Sequence, residues 1–137
     1  MADFAVLERG EALARRLVAR FGPAVGENGC PGLLVVGPGV TGLSGPLVCG
    51  TVLLPGSQSR LLEQISAKSA VSYGLSGRDT ITLSSRRGNR LWVAVQRELV
   101  RLDGTVLERQ ELWVEMDKGM DTLHALALTG ARLLLGQ

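Results

Sequence analysis

Residues 33–55 read Leu33-Leu34-Val35-Val36-Gly37-Pro38-Gly39-Val40-Thr41-Gly42-Leu43-Ser44-Gly45-Pro46-Leu47-Val48-Cys49-Gly50-Thr51-Val52-Leu53-Leu54-Pro55. Two runs in it, Leu33 to Val36 and Leu47 to Leu54, are apolar on consecutive rather than alternate positions. Each is short and bounded by glycine or proline. That pattern predicts strands buried on both faces, as in a parallel sheet. All five prolines and ten of the eighteen glycines fall between Gly22 and Gly56, so these residues are read as turns of a folded unit and not as a linker.

Toward the N-terminus, Val6, Leu7, Leu13, Ala14, Leu17, Val18 and Phe21 recur with the spacing of one helical face. They predict an amphipathic helix over Asp3–Phe21, stopped by Gly22-Pro23. Toward the C-terminus, Ser57 or Ser59 serves as an N-cap for a short helix, Ser59–Ala67, and a third strand covers Ser69–Tyr73. From Thr80 the period becomes two. Thr80 to Ser84, Leu91 to Val95 and Leu112 to Met116 alternate, as half-buried strands do. Arg87-Gly88-Asn89 and Asp103-Gly104 supply the turns, the second read as a two-residue hairpin. A last helix covers Met120–Leu135, with Asp121 or Thr122 near its start and Gly136 beyond its end. It is apolar nearly all the way round, which predicts cover on more than one side, a partner chain being one source.

The composition bounds the function. A chain of 137 residues with 45% hydrophobic and 20% charged residues can bury a core without staples, and aromatics at 4% make that core aliphatic. A net charge of +2 with dispersed arginines does not predict a nucleic-acid surface. No apolar run approaches a membrane span, and Met1 to Glu8 do not resemble a signal peptide, so a cytoplasmic protein with Cys30 and Cys49 reduced is expected. The spacing of those cysteines and the single His124 do not make a zinc set.

The chemistry-bearing stretch is Gly37-Pro38-Gly39-Val40-Thr41-Gly42, after a predicted strand. Its backbone N–H groups could reach an anion. It lacks Gly-Lys-Ser/Thr, and Lys68 and Lys118 lie elsewhere; no helix opens after it at the dinucleotide spacing. Gly37, Gly39, Thr41, Gly42 and Ser57 are the candidate ligand-binding residues, and turn-making explains the same glycines. A thiol site would need Cys49 or Cys30 beside His124. Alternation places Glu111 and Glu115 with Trp113 on one strand face, a solvent or partner face.

The segment order from about Gly50 onward resembles the later half of the central domain of the Mur ligases, the ATP-dependent amino-acid ligases of peptidoglycan precursor synthesis. The resemblance is carried by Thr51-Val52-Leu53-Leu54-Pro55-Gly56, by Leu61 to Ala67, by Ala70-Val71-Ser72-Tyr73-Gly74-Leu75-Ser76, by the meander, and by Thr122-Leu123-His124-Ala125-Leu126-Ala127 through Leu135-Gly136. In that family a buried strand ends in Asn-x-Asp-Asp; here Leu54, Gly56 and Ser57 stand in that region. Met120-Asp121 replaces the family's His-Asn, and the Gly-Lys-Thr loop has no counterpart. The resemblance therefore implies a relative without the ATPase, of a kind found as small stand-alone proteins in Gram-positive anaerobes, and transfers no catalytic residue.

The expectation is a single three-layer α/β domain over 1–137, with a small partly parallel sheet extended by an antiparallel meander and helices at both termini. Its expected role is non-catalytic binding or interaction, with no cofactor and no metal. A homodimer would form through the C-terminal helix or the meander, with no nucleic-acid or membrane partner. The alternatives are a small-ligand or nucleotide-binding protein using loop 37–45, and a thiol-based enzyme.

Overall fold

The computed structural model describes residues 3–136. Seven strands form one sheet: β1 (Phe4–Leu7), β2 (Leu33–Val36), β3 (Leu47–Pro55), β4 (Ile65–Gly74), β5 (Ile81–Arg87), β6 (Arg90–Val95) and, at the far edge, β9 (Gln110–Glu115). β1 to β5 pair in parallel, and β5, β6 and β9 are antiparallel. Two further strands, β7 (Leu99–Val100) and β8 (Val106–Leu107), make a separate ribbon. Helices α1 (Ala12–Phe21) and α2 (Thr122–Leu134) cover one sheet face, and a 3₁₀ segment (Gly56–Glu63) lies on the other. The chain is thus an α/β domain whose partly parallel sheet is extended by antiparallel strands, with helices near both ends.

The consecutive apolar runs behave as expected. In β2, Leu33 and Val35 enter the core beneath α1 and α2, while Leu34 and Val36 enter the core beneath the 3₁₀ segment and loop 37–46. Burial on both faces is what removes the alternation. α2 packs closely on β3 because Gly130 offers no Cβ; one there would stand 3.1 Å from a Leu53 methyl. Sheet, α1 and the β7–β8 ribbon together bury Ala125 to Ala131, Leu133 and Leu134. The cover predicted for this helix comes from its own chain.

Three local expectations need correction. Asp3–Phe21 is not one helix: Phe4–Leu7 is an edge strand beside β2, and the helix starts at Ala12. The Glu8 carboxylate accepts from the N–H groups of Leu13 (3.1 Å) and Ala14 (2.8 Å), which fixes that start. The short helix at Ser59–Ala67 is a 3₁₀ segment ending at Glu63, with Pro55 and no side-chain bond at its cap; β4 already begins at Ile65, drawn into the β3 ladder opposite Leu47. Asp103-Gly104 does not close a two-residue hairpin. Arg101 N–H donates to Thr105 across a longer loop (2.9 Å), in which Gly104 has φ 90°. Gly88-Asn89 is the two-residue turn, between Arg87 and Arg90.

Candidate functional site

Parallel strands present their carboxyl ends together, and an open α/β sheet binds ligands there. In this chain β2, β3 and β4 end around a cleft of about 440 Å³. Its floor is Pro55, Gly56, Tyr73 and Gly74; Pro38 and Gly39 close one side, Ser57 and Gln58 another, and Leu123 of α2 a third. The remaining wall is the loop from Leu75 to Asp79.

That loop exists because β5 joins β4 only at Tyr73 and Gly74 and then runs on past it. The chain therefore turns within six residues and is stapled in place. Thr82 Oγ1 donates to Gly74 O (2.7 Å), Thr80 N–H to Ser72 Oγ (3.2 Å), and Gln96 Nε2 to the carbonyls of Gly77 (2.9 Å) and Asp79 (2.6 Å). Arg97 donates to Arg78 O and Thr80 Oγ1, each at 2.9 Å. A wall tied at this many points is held in one shape before any ligand arrives.

Asp79 is the buried carboxylate of the site, 5% exposed. Its Oδ2 accepts from Ser76 N–H (3.1 Å), and its side chain fills the space that Cβ atoms on Gly56 and Gly74 would otherwise occupy. Two more carboxylates close the neighbouring helix starts: Glu8 on α1 and Asp121 on α2. Asp121 Oδ1 accepts from the His124 N–H and ring Nδ1–H, both at 2.8 Å. Burial pushes the Asp121 carboxyl up, but the two His124 hydrogen bonds and its charge bring it below its ordinary value.

Tyr73 is fully buried and donates from its phenol to Val36 O (2.6 Å), tying β4 to the end of β2. Burial raises its pKa, and the charges of Asp121 and Glu8 raise it further. Gln58 carries the unmet group: its Oε1 is buried and, among the described residues, receives no hydrogen bond.

Of the residues expected from sequence, Gly39 and Ser57 line the cleft. Gly37 lies against Glu8, where a Cβ would come 2.8 Å from the Glu8 Cβ, and its N–H bonds Leu7 O (2.8 Å). Thr41 is exposed, and neither it nor Gly42 belongs to the cleft lining. Cys49 lies near the start of β3, six residues and roughly 20 Å before the cleft end at Pro55. His124 belongs to the first turn of α2, beside the lining residue Leu123, so the thiol and imidazole stand at opposite ends of the sheet. Asp79, Gly56, Gly74 and Gln58 were not singled out as site residues. The tight Gly74-Leu75-Ser76-Gly77-Arg78-Asp79 turn was the available signal, and its polar residues read equally well as turn chemistry.

Among the described residues no group of three His, Cys, Asp or Glu side chains could hold a metal ion, and no helix is long and apolar enough to cross a membrane. Comparison with protein-family models, curated proteins and solved structures found no match to this chain.

Proposed function

We propose that this chain is a non-catalytic binding domain, distantly related to the Mur ligases, whose strand-end cleft takes a small phosphate-free ligand bearing hydrogen-bond donors. The observation that carries the reading is the set of three carboxylates at the carboxyl end of the parallel strands. Glu8 and Asp121 occupy the N–H groups at the helix starts, and Asp79 fills the space over Gly56 and Gly74. Those N–H groups and the open backbone are what a polyphosphate would require. Of the charged residues lining the cleft, Asp79 is acidic and Arg78 basic; with the helix N–H groups occupied and Asp79 over the glycines, the cleft lacks the cradle on which phosphoryl transfer depends.

The same groups suit a donor-bearing ligand. Asp79, with acceptor capacity left on its carboxylate, lines a cleft whose rim carries Leu75, 64% exposed, and Leu123. Apolar walls with a few fixed polar groups describe a small-molecule site. A cytoplasmic location and a homodimeric state belong to this reading. Of the two dimer faces expected, the meander is the one left open, since α2 is covered by its own chain.

The test is a nuclear magnetic resonance titration of the folded chain with ATP–magnesium and with a panel of nucleosides, amino sugars and amino acids. Residues 55–58 and 73–79 should shift with a member of the phosphate-free panel and stay still with ATP–magnesium. Stabilisation of more than about 2 kcal/mol by saturating ATP–magnesium would overturn the reading.

A further inference from the structure

Among the described residues Asp79 is the one charged side chain that the fold buries; the other polar residues buried to this degree are Thr51, Thr80, Thr82 and Thr129. Its carboxylate receives a single hydrogen bond, from Ser76 N–H to Oδ2. Oδ1 rests over Gly56 and accepts none among the described residues. No cation is paired with it. The ion pairs among the described residues join Arg15 to Glu11, Arg16 to Asp117 and His124 to Asp121. The two arginines tied into the same loop are directed elsewhere. Arg97 gives its Nη1 bonds to Arg78 O and Thr80 Oγ1, and Arg78 is exposed and makes no ion pair with its neighbour. A carboxylate taken out of water is costly unless hydrogen bonds and an opposite charge replace its hydration. Filling the space over Gly56 and Gly74 and accepting from Ser76 N–H are tasks that a neutral asparagine could perform. The charge answers to neither of them.

We propose that the strand-end cleft binds an organic primary ammonium ion, its –NH3+ group docked on the Asp79 carboxylate and its apolar body against Leu75 and Leu123. An ammonium brings the missing charge together with three donors, and Asp79 has acceptor capacity left to receive them. Hydrogen bonds between two charged groups are the stronger kind, more so out of water. A metal ion is the poorer counter-charge, because among the described residues no second and third His, Cys, Asp or Glu joins Asp79 to hold one. The surroundings favour a cation as well. Tyr73 on the cleft floor has its pKa raised first by burial and then by the charges of Asp121 and Glu8, so a negative field reaches that floor. The cleft volume of about 440 Å³ is at the lower end for small-molecule sites, and its lining of Pro38, Pro55, Leu75 and Leu123 suits an apolar body.

This inference rests on the cleft being a ligand site, as proposed above, and specifies the charge of the ligand. The experiment is a nuclear magnetic resonance titration of the folded chain with isoamylamine, benzylamine and glucosamine, each beside its neutral counterpart isoamyl alcohol, benzyl alcohol or glucose. At least one amine should shift residues 55–58 and 73–79 and bind about tenfold or more tightly than its counterpart. Asp79→Asn keeps the shape and an acceptor for Ser76 N–H, and in it that preference should vanish. Thermal unfolding reports whether the variant folds; if it does not, the amine–alcohol comparison on the wild type decides. Neutral counterparts that bind as tightly as the amines, or a preference that survives in folded Asp79→Asn, overturn the ammonium and keep the cleft as a binding site. Amines that leave these residues still while a nucleoside moves them do the same. No shift at these residues with any compound of this panel or the earlier one overturns both readings.

Discussion

The Asp79 carboxylate lies so close over the Cα of Gly74 that a Cβ on residue 74 would stand 2.5 Å from Oδ2. Gly56, the first residue of the 3₁₀ segment after β3, makes the same allowance for Oδ1. The acid and the two glycines form one arrangement. Gly74→Ala should therefore destabilise by about 1–3 kcal/mol through overpacking. In an Asp79→Ala background the same change should cost much less, since the colliding group is gone. A double-mutant cycle by urea unfolding measures the coupling. Equal costs in both backgrounds would show that the glycine is required for some other reason.

Tyr73→Phe removes the hydrogen bond to Val36 O at 2.6 Å and leaves that carbonyl without its partner, at an expected cost of about 1–2 kcal/mol. The phenol also makes stability depend on pH. Its folded-state pKa is raised by burial and by Asp121 and Glu8 above the ordinary value of 10.0. Its contribution is therefore complete below that value and declines as pH rises past it, because the unfolded chain then releases a proton the folded chain keeps. Tm should fall above about pH 10 in the wild type and fall less in Tyr73→Phe. The chain has one tyrosine, so phenolate absorbance reports this group alone.

Glu8→Ala and Asp121→Ala should each destabilise by about 1 kcal/mol, because each frees helix N–H groups from a carboxylate. For Asp121 the contribution is full above the ordinary carboxyl value of 3.8 and is lost as pH falls through the lower folded-state value. The difference in Tm between wild type and Asp121→Ala should accordingly shrink below that pH. A difference that stays constant into strong acid would mean that the carboxylate charge contributes nothing.

The two thiols should separate in reactivity. Cys30 is exposed, in a left-handed turn with φ 52°, whereas Cys49 is buried and burial, with a smaller effect of Cys30, raises its pKa. A thiol reagent should label Cys30 within the mixing time of an ordinary assay and Cys49 only on unfolding. Equal rates would place Cys49 at the surface.

Arg132→Met should be neutral or stabilise by about 1 kcal/mol. The Arg132 Nε is buried and, among the described residues, has no acceptor, while Arg16 is already paired with Asp117 at 2.6 Å. Burial lowers the Arg132 pKa, opposed by Asp117 and reinforced by Arg20 and Arg16. An apolar chain of similar length keeps the packing and removes the cost of the unpaired group. Thermal unfolding decides; a clear loss of stability would mean that the guanidinium is paired in solution.

Where a residue's environment repeats along the chain, the sequence was legible. Leu33–Val36 is buried on both faces and reads as a continuous apolar run; Leu91–Val95 is buried on one and alternates. Asp121 was anticipated near the start of α2 because capping acts over three residues. The site was read only in part, Gly39 and Ser57 being the two expected residues that reach the cleft. Asp79 is not legible as a site residue, because its neighbours Gly56 and Gly74 come from the ends of two different strands and no spacing in the chain brings all three together.

The sequence by itself determined the kind of each strongly periodic element and the aliphatic core they share, because period and burial are properties of neighbouring residues. Only the tertiary structure decided that Phe4–Leu7 is a strand, since its apolar spacing fits a helix equally well and the hydrogen bonds that choose between them come from Leu33–Val36. It also decided that the strand ends meet around carboxylates and that α2 is covered by its own chain. Those outcomes depend on which distant segments pair, and pairing is set by backbone hydrogen bonds and packing that no local pattern encodes.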